Sequence, residues 1–285
     1  MPAIAFGTGS KLKGQDVTEC VEQAIETGFS HIDTAQWYAN EDSIGKAIRE
    51  TALERSELFV TTKWSGRTSI PGGVRDSLDK ASIHVVPNAG DVWREFEKIK
   101  EEGLTKSIGV CNYSLPKLQE LVKTASIIPA VNQILFHPYN YAENKELLEF
   151  CTQHGIVIEA YGSLIPITKL RDGPVDKPVQ AAAKRLNATP RQVILSWVRS
   201  KGVVIVTASS SKEYFQEYLA VADLPPLTEE EVAAIDEAGA RGRSVFIRRA
   251  RFRLAFSVLQ LVSGLWKVYT FCWDEAGPKG RSSSI

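Results

Sequence analysis

The sequence has no excess of charge of either sign, since 34 Lys and Arg residues balance 34 Asp and Glu residues. Proteins that bind nucleic acid usually carry a basic surface, so this balance argues against a nucleic-acid partner. Cysteine is also scarce, with four residues at positions 20, 111, 151 and 272 and no CxxC pair. That spacing predicts neither a disulfide framework nor a metal site. It is typical of a protein that works in a reducing compartment, and we expect the cytoplasm.

Two further signals are missing near the start of the chain. The segment Met1-Pro2-Ala3-Ile4 has no basic region and no long apolar run, so we expect no secretory signal peptide. The segment Phe6-Gly7-Thr8-Gly9-Ser10 lacks the third glycine of the GxGxxG motif. The sequence therefore does not favour a Rossmann dinucleotide-binding unit.

Eight short apolar runs alternate with helical patterns along the first 240 residues. The runs are Ala3–Phe6, Ser30–Asp33, Leu58–Lys63, Ile83–Val86, Ser107–Cys111, Ala130–Asn132, Ile156–Ala160 and Val203–Val206. Continuous apolar runs are typical of strands buried on both faces, and strand–helix alternation indicates a parallel sheet. Eight strand–helix repeats favour a closed barrel over an open sheet. We therefore predict an α/β fold, a (β/α)₈ TIM barrel forming a single domain over residues 1–240.

Helix-boundary signals lie between these runs. Asp16–Thr27 begins with a capping aspartate and ends at Gly28, and glycine commonly follows a helix. Asp91–Glu102 places apolar residues at helical spacing and ends at Gly103. A capping box over residues 228–231 precedes Val232–Glu237, which predicts a further helix there.

Polar residues close three of the predicted strands, at the barrel end where function is expected. They are Asp33, Tyr38, Lys63 and His84. A free phenol has a pKa of about 10, and a neighbouring ammonium lowers it. We therefore expect Tyr38 to protonate a substrate carbonyl as a hydride reaches the carbon, with Lys63 lowering its pKa. Asp33 would fix Lys63, and His84 would orient the carbonyl or relay a proton.

Each of these four residues also has an ordinary structural interpretation. Asp33 could cap a turn, and Lys63 could be a solvated charge. Tyr38 could be a surface aromatic residue, and His84 a buried strand histidine. Their combination is what points to chemistry.

The block His31-Ile32-Asp33-Thr34-Ala35, with Tyr38 five residues after Asp33, resembles the signature of the aldo-keto reductase family. Gly109-Val110-Cys111-Asn112-Tyr113 and Val131-Asn132-Gln133-Ile134 also resemble family motifs. The similarity covers residues 3–240. It implies an oxidoreductase that reduces aldehydes or ketones, small-molecule carbonyl substrates, with a nicotinamide cofactor. Asp33, Tyr38, Lys63 and His84 would form its catalytic tetrad.

The resemblance also implies the contacts of an NADP cofactor. Asn112 and Gln133 would hold the carboxamide, Tyr161 would stack on the nicotinamide, Ser163 and Leu164 would meet the pyrophosphate, and Ser209 and Glu217 would lie near the adenosine. Ala208 and Tyr214 stand where the family often has cations for the 2′-phosphate. Lys212 or Arg191 could substitute, so NADP, NAD or dual use all stay open.

The fourth strand region departs from the family pattern. Asp79-Lys80-Ala81 leads almost directly into Ser82–Pro87, whereas helix-to-strand loops usually take about 2–6 residues. We therefore expect a shortened fourth strand region. The alternative function is a catalytically impaired barrel that binds the cofactor as a sensor or partner subunit, although the presence of Asp33, Tyr38 and Lys63 favours an enzyme. Cys111 replaces a serine, and a buried inert thiol is favoured over a reactive one.

The tail over residues 241–285 departs too. It combines a basic segment, Arg248–Arg253, with the apolar stretch Ala255–Trp273. Three interpretations stay open: a helix docked on the barrel, a membrane anchor, or a segment with no evolved role. Against an anchor, Lys267 would cost about 2.5–3.5 kcal/mol at a helix centre.

Overall fold

The computed structural model describes residues 1–66, 69, 71, 89–242 and 268–273. The strands are β1 (Ile4–Gly7), β2 (His31–Asp33), β3 (Phe59–Trp64), β4 (Ser107–Cys111), β5 (Val131–Leu135), β6 (Val157–Tyr161), β7 (Val204–Thr207) and β8 (Val268–Trp273). The helices are α1 (Thr18–Thr27), α2 (Glu41–Glu50), α3 (Ala89–Glu101), α4 (Leu115–Thr124), α5 (Tyr141–Gln153), α6 (Ile165–Thr168), α7 (Asp176–Leu186), α8 (Pro190–Ser200), α9 (Lys212–Leu219) and α10 (229–242).

The strands form a closed barrel in the order β1-β2-β3-β8-β4-β5-β6-β7. β1 to β7 pair in parallel wherever they are neighbours, because an α-helix lies on the crossover between most of them. The predicted α/β barrel class is confirmed, and seven of the eight predicted runs are strands. The fourth run, Ile83–Val86, lies outside the described residues, and so do His84 and the shortened region around it.

The eighth strand of the barrel comes from the tail. β8 lies antiparallel between β3 and β4, where Thr270 faces both Lys63 and Gly109. Its sequence, Val-Tyr-Thr-Phe-Cys-Trp, consists mostly of β-branched and aromatic residues, which favour strands. The interpretation of the tail as a docked helix is therefore wrong for these six residues. Among the described helices, none is long and apolar enough to cross a membrane.

Helix α1 shows how the sequence sets the local structure. The Asp16 carboxylate accepts hydrogen bonds from the backbone N–H of Thr18 at 2.9 Å and from its hydroxyl at 2.6 Å. This satisfies a donor that the helix cannot pair internally. Gly28 ends the helix at φ 119°, a conformation that favours glycine. The helix predicted over Asp16–Thr27 is confirmed.

The barrel wall is tight between β4 and β5. A Cβ on Gly109 would lie 2.3 Å from Val131 Cγ1 and 2.8 Å from the Val131 carbonyl oxygen. No side chain fits there, so glycine allows the two strands to approach. This close packing holds β4 and β5 against each other. These two strands carry Cys111 and Gln133, respectively.

Candidate active site

A buried ion pair joins the ends of β2 and β3. Lys63 Nζ donates to both Asp33 carboxylate oxygens at 2.6 Å and to the Thr34 carbonyl oxygen at 2.8 Å. Both side chains are 3 % exposed. An ammonium has three N–H donors, and this geometry gives each of them an acceptor. The pair therefore meets the condition under which buried charges are tolerated.

The environment keeps Lys63 charged. Burial is the largest single influence and lowers its pKa, but the charge of Asp33, with contributions from Tyr38 and Cys111, outweighs it. The pKa of Lys63 consequently lies above its ordinary value. The ammonium persists throughout the physiological pH range.

Tyr38 lies beside this pair, on the 3₁₀ turn Gln36–Tyr38 that follows β2. Its ring centroid is 5.4 Å from Lys63 Nζ. Gly9 makes room for the ring, because a Cβ there would lie 2.7 Å from Tyr38 Cζ. The structure thus brings together three of the four residues expected to carry the chemistry.

The net shift of the Tyr38 pKa differs from the expectation. The charge of Lys63 is the largest influence and lowers the pKa, as the sequence suggested. Burial and the charge of Asp33 raise it, with a smaller contribution from Cys111, and together they prevail, so the pKa of Tyr38 lies above its ordinary value. The expected net lowering is wrong because burial of the phenol, with the charge of Asp33, outweighs the effect of Lys63. The phenol is fully protonated at neutral pH.

A buried amide connects Asp33 to a second carboxyl group. Gln133 Nε2 donates to Asp33 Oδ2 at 2.8 Å and to Glu159 Oε2 at 2.7 Å. Burial raises the pKa of Glu159 to about 7, and the charge of Asp33 adds to the shift. Glu159 is not among the residues predicted from the sequence. The available signal was a charged residue within the apolar run Ile156–Ala160, a position where burial is expected.

Asn112 and Tyr161 form a second group at the end of β4 and β6. The Tyr161 hydroxyl donates to Asn112 Oδ1 at 2.9 Å, and Asn112 Nδ2 donates to Cys111 Sγ at 3.3 Å. The Asn112 side chain is exposed, whereas that of Gln133 is buried. The two amides expected to share one carboxamide therefore lie in different surroundings. Burial raises the pKa of the Cys111 thiol to about 12, which agrees with an inert cysteine.

The remaining predicted cofactor residues follow β6 and β7. The Ser163 hydroxyl donates to the Phe136 carbonyl oxygen at 3.0 Å, and Leu164 directly precedes α6. Ser209 Oγ accepts from the backbone N–H of Ser211 at 3.1 Å. Both serines are thus fixed by backbone contacts.

Glu217 belongs to a polar group on α8 and α9. Its carboxylate accepts from the Thr189 hydroxyl and lies 3.6 Å from Arg191 Nη1. Arg191 Cζ lies 4.4 Å from the ring centroid of Tyr214. A guanidinium on α8 therefore lies beside the position where the family cation is missing.

These residues fit a nicotinamide dinucleotide. An exposed amide beside a phenol ring, Asn112 with Tyr161, suits a flat ring that carries a carboxamide. Arg191, in the group around Glu217, supplies a cation of the kind that pairs with phosphate. By contrast, no cluster of three metal-ligating side chains occurs within the described ranges.

Comparisons with known proteins point to one family. The model of the Aldo/keto reductase family matches residues 3–240. An NAD/NADP-dependent indole-3-acetaldehyde reductase of Schizosaccharomyces pombe is 34% identical over 242 residues, which cover 77% of this chain and 85% of the relative. A glyoxal reductase of Bacillus subtilis is 33% identical over 250 residues, which cover 83% of this chain and 88% of the relative.

A solved structure shows the same relationship. The Bombyx mori aldo-keto reductase in complex with NADP is 28% identical, with a TM-score of 0.74 over 84% of this chain and 89% of that chain. The family match covers most of the sequence, including the Asp33–Tyr38 block and Lys63. The chain belongs to the aldo/keto reductase family and is an NAD(P)H-dependent reductase of carbonyl compounds.

Proposed function

We propose that Tyr38 is the proton donor in the reduction of a small aldehyde or ketone to its alcohol. The observation that carries this proposal is Lys63, which is hydrogen-bonded to Asp33 and lies 5.4 Å from the Tyr38 ring centroid. A nicotinamide dinucleotide would supply the hydride when it is bound. Tyr38 gives its phenolic proton to the carbonyl oxygen, so the C=O bond becomes C–OH, and solvent later returns a proton to the phenolate.

Lys63 and Asp33 support this step at different times. Before proton transfer, Asp33 balances the Lys63 charge and the phenol stays protonated. As the phenolate forms, the nearby ammonium stabilises the new negative charge, which is an effect larger in the transition state than in the ground state. Fixed charges in a buried site need little reorganisation.

The proposed cofactor contacts follow the same geometry. Asn112 and Tyr161 would hold the nicotinamide, while Ser163 and Leu164 would meet the pyrophosphate. Ser209 and Glu217 would lie near the adenosine. Gln133 would contact the carboxamide through its Oε1, because its Nε2 already donates to Asp33 and Glu159. His84 stays a prediction for the fourth catalytic position.

The substrate class follows from the relatives' names. Those names include reductases of glyoxal, methylglyoxal and indole-3-acetaldehyde, which are all small aldehydes. We propose the same class for this enzyme, in the reducing cytoplasm. The free thiols of Cys20, Cys111 and Cys151 support that compartment.

The test is a turnover assay with product identification. The purified protein would be incubated with NADPH, or with NADH, and with glyoxal, methylglyoxal, indole-3-acetaldehyde or acetone. We expect cofactor oxidation coupled to alcohol formation with at least one aldehyde. Tight cofactor binding with no alcohol from any carbonyl would contradict the proposal and identify a binding protein.

A further inference from the structure

Glu159 is a buried carboxyl group that the proposed reaction does not use. It lies on β6 in the barrel interior and is fully buried. Its Oε2 accepts from Gln133 Nε2 at 2.7 Å, and the same nitrogen donates to Asp33 Oδ2 at 2.8 Å. A primary amide has two N–H donors, so the two carboxyl groups take one each. The Gln133 amide is therefore a bridge between Glu159 and the Asp33–Lys63 pair.

We infer that Glu159 is a positioning residue that acts on Asp33 and Lys63 through the Gln133 amide. This inference rests on the proposed function, because it assigns Glu159 an effect on the proton transfer from Tyr38. Glu159 itself does not contact the reacting atoms. It acts by orienting the Gln133 amide and by setting the negative charge close to the Asp33–Lys63 pair.

The groups around Glu159 leave its charge only partly compensated. The titratable or polar side chains that face it are His31 and Asp33 from β2, Lys63 from β3, Cys111 from β4 and Gln133 from β5. Burial lowers the pKa of His31 to about 4, so this imidazole is neutral at physiological pH. Lys63 is shared with Asp33. An ionised Glu159 thus adds a second negative charge close to Asp33, in agreement with its raised pKa.

Glu159 also lies beside a cavity at the N-terminal end of the barrel. A cavity of about 220 Å³ reaches it from the N-terminal end, where Met1, Phe59, Ser107 and Val157 contribute to the lining. Met1 and Val157 are exposed, so the cavity lies next to solvent. Glu159 therefore borders a cavity at the end of the barrel opposite Tyr38.

The expected consequence is a pH dependence of the reduction. A negative Glu159 opposes the negative charge that develops on Tyr38 and the substrate oxygen, while a protonated Glu159 does not. With a pKa of about 7 for Glu159, the rate should fall as pH rises through neutrality. Removal of the charge should abolish that fall.

The first experiment compares kcat/KM of three proteins from about pH 5 to about pH 9. They are the wild type, Glu159→Gln, and Glu149→Gln, an exposed control on α5. We expect the wild type and the control to lose roughly three- to tenfold as pH passes about 7, and Glu159→Gln to stay on its acid-side plateau. An identical pH profile in all three proteins, or a uniform loss with an unchanged profile, would overturn the inference.

A second experiment does not depend on turnover. A double-mutant cycle of Glu159→Gln and Asp33→Asn would be measured by urea unfolding at about pH 5 and about pH 9. We expect a coupling of at least about fivefold in the unfolding equilibrium constant at the higher pH and little at the lower. Coupling without any carbonyl turnover would contradict the proposed function alone, whereas turnover without coupling at either pH would overturn the role of Glu159.

If Glu159→Gln does not fold, a measurement on the wild type still tests the inference. Its glutamate side-chain carboxyl carbons, labelled with ¹³C, can be followed by NMR during a pH titration. One glutamate that titrates near neutrality supports the inference. If every glutamate has completed its titration below about pH 6, well short of the shifted range, the inference is overturned.

Discussion

Lys63 Nζ lies 2.6 Å from each carboxylate oxygen of Asp33, at the ends of two adjacent parallel strands. Lys63 is the largest influence that lowers the pKa of Tyr38, but burial of the phenol, together with the charge of Asp33, outweighs it. The carboxylate opposes the effect of the ammonium on the phenol. The pair thus keeps the phenol protonated as a proton source and stabilises its conjugate base only during the reaction.

Lys63→Met should destabilise the protein by about 3–5 kcal/mol, because it leaves the Asp33 carboxylate buried without a cation. The double variant, Lys63→Met with Asp33→Asn, should lose less free energy of unfolding than Lys63→Met alone. Urea unfolding of the three proteins measures both effects.

The control for Lys63→Met is Lys98→Met, which breaks an exposed pair with Glu95. Surface pairs contribute about 0–1 kcal/mol. If Lys63→Met costs no more than this control, the buried pair does not have the energetic role assigned to it.

His31→Gln should reduce the loss of stability in acid. The pKa of His31 is lowered from 6.5 to about 4 by burial, so the unfolded chain takes up a proton below about pH 6.5 while the folded protein does not. Stability from this group is therefore full above pH 6.5 and falls as pH drops toward 4, by roughly 3 kcal/mol. Urea unfolding at several pH values measures the slope.

Glu159 has the opposite dependence, since its raised pKa makes the folded protein more stable as pH falls from about 7 toward the ordinary glutamate value of 4.5. In the wild type, the opposite pH dependences of stability from His31 and Glu159 partly cancel. The His31→Gln variant removes the His31 contribution, so that of Glu159 becomes measurable. The exposed His154→Gln serves as control. Equal acid sensitivity of His31→Gln and His154→Gln would contradict the neutral, buried state of His31.

Much of this fold could be predicted from the sequence because its signals are local. Continuous apolar runs specify buried parallel strands, and the motif around Asp33 places its carboxylate at a strand end. The antiparallel β8 could not be predicted, because no local pattern shows which strands a tail segment will pair with. The Tyr38 pKa depends on burial and on the relative placement of Asp33 and Cys111, which spacing in the sequence does not give.

The preference for NADPH over NADH should be about tenfold. Arg191 lies against Tyr214, but Glu217 is 3.6 Å from its guanidinium, so it cannot give its full charge to a phosphate. One charge-assisted hydrogen bond contributes roughly 1.5–3 kcal/mol, and each 1.4 kcal/mol is about tenfold. We expect Arg191→Ala to remove the preference and Lys212→Ala to leave it, as measured by titration of both cofactors. A preference above about a hundredfold that survives both substitutions would show that the phosphate is bound elsewhere.

A chain that ends after residue 242 should fail to fold cooperatively. Without β8, the barrel loses two strand ladders, each with five paired residues, at roughly 0.5–1.5 kcal/mol per hydrogen bond. A whole domain is stable by about 5–15 kcal/mol, so this loss is comparable with the total. Thermal unfolding followed by circular dichroism tests the expectation.

A chain that ends after residue 273 is the matched control for this truncation, because it keeps β8. It should unfold cooperatively, as the full chain does. If the shorter protein, ending after residue 242, has a similar Tm and retains reductase activity, then β8 is dispensable and the predicted boundary near residue 240 marks a complete domain.

The central claim, that Tyr38 is the proton donor, is tested most directly by turnover and cofactor binding in Tyr38→Phe, with Tyr141→Phe on α5 as the matched loss of a hydroxyl. General acid catalysis contributes about 10²–10⁴-fold. We predict that Tyr38→Phe lowers kcat for aldehyde reduction by at least about a hundredfold and leaves the Kd for NADPH within about threefold of the wild-type value. The control Tyr141→Phe should keep the wild-type kcat. Unchanged kcat in Tyr38→Phe, with NADPH bound as in the wild type, would contradict the mechanism.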